Sequence, residues 1–65
     1  MKLGDNVRLE NGEIARIVCD FDNGDFTPEY PESDWRDVAS YGLLVVTERG
    51  ACVQLERTDV SPISN

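Results

Sequence analysis

Histidine is absent from this 65-residue sequence, and tryptophan and methionine occur once each. The missing imidazole removes the commonest general base and the commonest nitrogen ligand of metal sites. Only two cysteines are present, Cys19 and Cys52, too far apart for a zinc knuckle. No apolar run approaches the ~20 residues of a membrane span, and the opening Met-Lys-Leu-Gly-Asp lacks the apolar stretch of a secretory signal. The expectation is a cytoplasmic protein with no membrane association, and free thiols rather than a disulfide. Basic residues are scarce as well: six Lys and Arg face 13 Asp and Glu, for a net charge of −7. That balance opposes contact with nucleic acid. Length adds a further exclusion, because a chain this small buries only about 60% of its unfolded surface. Enclosing a deep catalytic cleft would consume its core, and its serines have no evident activating partner, so no enzyme activity is expected.

What is present reads as short β-strands joined by tight turns, in a single domain spanning residues 1–65. Asn11-Gly12 follows Leu3–Glu10 and fits a two-residue hairpin turn with two positive φ angles. Such a turn sets Glu10 opposite Glu13 and Leu9 opposite Ile14. The returning strand, 13–22, carries Ala15, Ile17, Cys19 and Phe21 on one face, which makes Cys19 a small buried hydrophobe. Asn23-Gly24 repeats the signal, pairing Asp22 with Asp25 and Phe21 with Phe26. Pro28 and Pro31 then open a connection in which residues 31–38 suit a short helix, with Trp35 and Val38 three apart on its docking face. Leu43–Thr47 is an apolar buried strand. Residues 48–50 turn it back into 51–56, through a loop of two or three residues. Arg57–Val60 forms a tight turn before a short edge strand to Ile63, where Pro62 is tolerated. Five strands and one decorated, acidic connection make an all-β fold, most consistent with a small bent barrel.

Gly4-Asp5-x-Val7-Arg8 followed by Asn11-Gly12-Glu13-x-Ala15-x-Ile17-Val18 resembles the opening hairpin of SH3-like barrels of the KOW and Tudor kind. The ending, a turn at Thr58-Asp59 and then Val60-Ser-Pro-Ile63, resembles how those barrels finish. The whole chain also resembles short bacterial proteins of unassigned activity that share Tyr30-Pro31-x-x-x-Trp35 and Gly42-Leu-Leu-Val45-x-Thr47. A weaker resemblance is to the plasmid-borne type II dihydrofolate reductases, through Gly4–Arg8 and Val53-Gln54-Leu55-Glu56. There the pore tyrosine corresponds to Glu56, and the lysine after Val-Arg corresponds to Leu9. Both changes remove the positive potential that an anionic substrate pore requires. The KOW and Tudor likeness implies contact with nucleic acid or the ribosome, for which Arg8, Arg16 and Arg49 offer a small basic face against an opposing overall field.

The most informative stretch is residues 20–37. It holds seven acids (Asp20, Asp22, Asp25, Glu29, Glu32, Asp34, Asp37) and one base, Arg36, interleaved with Phe21, Phe26, Tyr30 and Trp35. The charge of the protein is therefore local. Asp20-Phe-Asp22-Asn-Gly24-Asp25 superficially resembles a calcium loop, but glycine stands fifth and Asp25 sixth, and Pro31 takes the place of the bidentate twelfth ligand. No metal and no cofactor are expected. One reading is a solvated loop whose rings plug the barrel. The sharper reading is an interaction surface, with Asp22, Asp25, Glu29, Asp34 and Asp37 steering a basic protein partner and Phe26, Tyr30 and Trp35 anchoring it. The function expected is a non-catalytic protein-binding module, an accessory or inhibitor of a basic and even nucleic-acid-binding protein. A self-associating structural protein, a homo-oligomer formed through the apolar stretches 43–46 and 53–63, is the alternative.

Overall fold

Glu10-Asn11-Gly12 shows how the chain turns. In the computed structural model, which describes residues 2–63, Leu9 N–H donates to Glu13 O (2.8 Å) and Gly12 N–H to Leu9 O (2.9 Å). Only glycines adopt positive φ among the described residues, Gly12 at 89°. Asn11 stays in the ordinary region, so the two-residue turn is replaced by a three-residue one. In it, Asn11 Oδ1 accepts from Glu13 N–H (2.9 Å). The longer loop moves the register by one, to Arg8 opposite Ile14, and Glu10 no longer faces Glu13. The same bond pair recurs between Thr47 and Ala51, with Gly50 N–H donating to Thr47 O (2.9 Å), which settles that loop at three residues.

These turns join β1 (Asn6–Leu9) to β2 (Ile14–Asp20), and β4 (Leu43–Thr47) to β5 (Cys52–Leu55). A 3-10 turn, Arg57–Asp59, leads into β6 (Val60–Pro62), which pairs with β1 at the sheet edge. The antiparallel order is β5-β4-β2-β1-β6, with a two-residue β3 (Asp25–Phe26) attached to β2. The all-β class holds, with six strands instead of five; the sixth is this short β3. The short helix α1 (Glu32–Trp35) lies inside the expected 31–38. β4 is a central strand, between β2 and β5, so residues 43–46 offer no edge for self-association.

The sheet is buried on both faces over part of its area. Val7, Ala15, Ile17, Leu43, Val45 and Val60 form the inner core, with Leu3, Leu9, Val53 and Leu55 packed against it. A second cluster of Val18, Cys19 and Leu44 is covered by Phe21, Phe26, Tyr30, Trp35 and Val46. The two clusters are separated by a β-bulge: Ile17 opposes Val45, but Cys19 opposes Leu44. Cys19 is buried as expected, yet on the other face from Ala15 and Ile17. Strict alternation placed all three together and misses the bulge at Val18.

Candidate functional site

The second hairpin differs from its sequence reading. Asp20 opposes Asp25 and Cys19 opposes Phe26, leaving a four-residue loop, Phe21–Gly24. Phe21 and Phe26 are not register partners but still meet edge to face, with centroids 5.8 Å apart. The extra loop length has an electrostatic cause. Asp20, 5% exposed, turns its carboxylate to Asn23, accepting from the backbone N–H (3.2 Å) and from Nδ2 (2.8 Å), and pairs with Arg57 Nη2. Asp22 accepts from Arg57 Nε (3.1 Å) and from Gly42 N–H (3.0 Å). One guanidinium thus bridges two carboxylates. Burial pushes the Asp20 carboxyl up, but the Arg57 and Asn23 bonds outweigh it and hold the group below its ordinary value. Asp20 raises the pKa of Arg57 in turn, keeping it firmly charged.

The connection 27–42 then folds over the outer face of β2 and β4. Thr27 anchors its start, with both N–H (3.2 Å) and Oγ1 (3.0 Å) donating to Val18 O. α1 is a single turn, held by Trp35 N–H to Pro31 O (3.1 Å) and Arg36 N–H to Glu32 O (2.8 Å). Its stability comes from Trp35, which packs against the Tyr30 ring at 5.3 Å with planes 57° apart. Phe26, Tyr30 and Trp35 are all half-buried: they cover the outer cluster and still present an edge to solvent. Val38 does not dock. It is 54% exposed, and Tyr41 is 51% exposed, two large apolar side chains left open to solvent that were not among the expected anchors. No signal in the sequence marked Tyr41, since a lone aromatic before a strand is usually core.

The predicted steering carboxylates divide into two groups. Asp22 is tied into the Arg57 bridge, and Glu29 lies 3.8 Å from Arg16, both side chains being exposed. An exposed pair of that kind is worth little, so Glu29 remains available. Asp25, Asp34 and Asp37 are exposed, and among the described residues no basic side chain pairs with them; the same holds for Glu32. The small basic face is partly neutralised in the same way. Arg49 bonds Glu13 at 3.0 Å and Arg16 faces Glu29, which leaves Arg8 exposed.

The thiols frame the aromatic cover. Cys19 Sγ donates to Tyr30 O (3.6 Å), and Cys52 Sγ lies 3.8 Å from Tyr30 Oη. Contact with Cys52, then partial burial, pushes the Tyr30 phenol up, and burial does the same to the Cys19 thiol. Both cysteines are free, Cys19 buried and Cys52 exposed. Iodoacetamide is therefore expected to alkylate Cys52 at least about tenfold faster than Cys19 in the folded protein, with the difference erased in urea. Mass spectrometry of peptides from a time course checks this; equal rates would mean that the aromatic cover does not shield β2.

Among the described residues no helix is long and apolar enough to cross a membrane. No protein-family model matches this chain, and neither a curated protein nor a solved structure matches it.

Proposed function

We propose that this protein is a non-catalytic binding module that docks on a basic protein, as an accessory or an inhibitor, through the outer face formed by residues 25–41. One observation carries the reading. Among the described residues, exposed carboxylates without a basic partner (Asp25 in β3, then Glu32, Asp34 and Asp37 in the connection) share the stretch 25–41 with the half-buried Tyr30–Trp35 pair and the exposed Val38 and Tyr41. Rings fixed by packing present contact area with little entropy left to lose, and surrounding like charges raise the encounter rate with Lys- and Arg-rich surfaces. Such a patch would imitate the charge of the phosphates that a nucleic-acid-binding partner ordinarily recognises.

The scaffold reading belongs with this proposal. A strand order that sets the last strand beside the first, with a 3-10 turn just before it, supports an SH3-like barrel. Asp22 changes role: it serves the Arg57 bridge that holds the connection in place, and Asp25, Glu29, Asp34 and Asp37 steer. Phe26 is a support for the Tyr30 and Trp35 anchors.

The test is capture from lysate at low salt, followed by binding measurements on the purified partner. The Asp25→Asn, Asp34→Asn, Asp37→Asn triple variant is expected to weaken association by about tenfold or more without lowering the melting temperature. Tyr41→Ser should weaken it as well, through slower-forming and faster-breaking contacts. Recovery of the same Lys- and Arg-rich protein by the triple variant at undiminished affinity would refute the assignment.

A further inference from the structure

β5 ends the sheet, hydrogen-bonded to β4 alone. Its register follows from the turn: Thr47 N–H bonds Ala51 O, so the hydrogen-bonded pairs continue at Val45–Val53 and Leu43–Leu55. Alternation then points the N–H and C=O groups of Cys52 and Gln54 away from β4, toward the open edge. Beside that edge lies a groove of about 460 Å³ between β5 and the β1–β2 turn. Its floor includes Leu9, Val53 and Leu55, and Glu10, Glu13 and Asp59 stand around it with Arg49, whose guanidinium is held by Glu13. On the opposite side of the strand, Gln54 Nε2 donates to Tyr41 O (2.9 Å) and Cys52 meets Tyr30.

We propose that β5 is a docking edge for an extended Lys- or Arg-bearing segment of a partner protein, added to the sheet as a further strand. The outward amides and carbonyls of Cys52 and Gln54 bond its backbone. Every second residue enters the groove over Leu9, Val53 and Leu55, which selects apolar side chains there. Basic residues flanking the inserted ones meet the acids around the groove, while those in the alternate positions point to the opposite face, beside Cys52 and Gln54. Charge selects this occupant over a second copy of the chain. Two copies joined at β5 would each bring a net charge of −7, and β5 carries no base. The nearest arginines, Arg49 and Arg57, are already engaged by Glu13 and by Asp20 and Asp22. The proposal rests on strand geometry and the groove, and stands apart from the outer acidic face.

The probe is a fluorescein-labelled decapeptide alternating lysine and valine, titrated into the full chain at low salt. Amide hydrogen exchange by NMR is expected to slow at Cys52 and Gln54 by at least about tenfold on saturation. Gln54→Pro removes one outward donor while sparing the β4 ladder, and should weaken the peptide by about tenfold; Gln54→Ala, which retains the amide, should change it by less than about twofold. Unchanged exchange at both amides in the wild-type protein would overturn the proposal, even if the proline variant does not fold. So would equal affinity of the two variants, protection that rises with protein concentration in the absence of peptide, or perturbations confined to residues 25–41. That last result would leave the outer face as the docking surface and remove β5 from it.

Discussion

Gly42→Ala is expected to destabilise the protein by about 3 kcal/mol, the sum of a backbone conformation L-residues disfavour and a steric overlap. Gly42 has φ of 83°, in the left-handed region. A Cβ there would overlap the Leu55 carbonyl oxygen of β5 and stand 3.0 Å from Gln54 Nε2. The first of these contacts is backbone, so it is not relieved by a side-chain rotation. Gly42 is also a junction: its N–H donates to Asp22 Oδ1 (3.0 Å) and its O accepts from Phe21 N–H (2.9 Å). Displacing it disturbs the start of β4, the end of β5 and the loop between β2 and β3 together. A domain of this size has about 3–10 kcal/mol of total stability, so the variant should be largely unfolded or melt far below the wild type. Urea denaturation followed by Trp35 fluorescence measures it. Gly24→Ala is the comparison, because that glycine also has positive φ (71°) but no atom within 4 Å of an added Cβ. It should cost about 1 kcal/mol, the conformational part alone. Equal losses at the two sites would overturn the steric part of the prediction.

The sequence made the punctuation legible and left the phase hidden. Asn-Gly and Arg-Gly mark all three hairpin bends, yet each Asn remains at negative φ, so the loops run longer than the dipeptide suggests and the pairings shift. The bulge at Val18 was invisible for a different reason. Ile17-Val18-Cys19 is apolar throughout, and an apolar run carries no polar residue to report which face it has moved to. The outer cover was half legible: the rings of residues 21–35 stood out, but whether they are buried or exposed depends on how the connection folds, and they are half-buried over the second cluster. Val38 misses its expected docking because α1 ends at Trp35, one turn earlier than the residue spacing would carry it, and Tyr41 carried no signal at all. The acids were read as one group because composition counts charges without pairing them. Arg57 lies 35 and 37 residues from the two carboxylates it joins, beyond any local pattern.

That long-range bridge sets the acid stability of the protein. Asp20→Ala should lower stability at pH 7 by about 2 kcal/mol, the usual loss for charged hydrogen bonds to a buried carboxylate. The folded-state pKa of Asp20 lies below the unfolded value, so the folded form binds the proton more weakly. The stability this group contributes is fully present above about pH 4, the unfolded value, and is lost as the pH falls through the lower folded value. Wild-type protein should therefore lose stability on acidification below about pH 4, and the gap between wild type and Asp20→Ala should narrow there. Arg57→Met supplies the complementary result. It leaves Asp20 buried beside Asp22 with no cation between them, so like-charge repulsion and burial both raise the Asp20 pKa. Its loss of stability should be greatest at neutral pH and diminish toward pH 3, where the carboxylates take up protons. The double variant Asp20→Ala, Arg57→Met should lose less than the two single losses combined, because each single change has already broken the shared bond. Thermal melts at pH 3, 5 and 7 on the four proteins decide it. Additive losses with parallel pH profiles would show that Arg57 and Asp20 do not act as a pair, and the outer connection would have to be held by its aromatic packing alone.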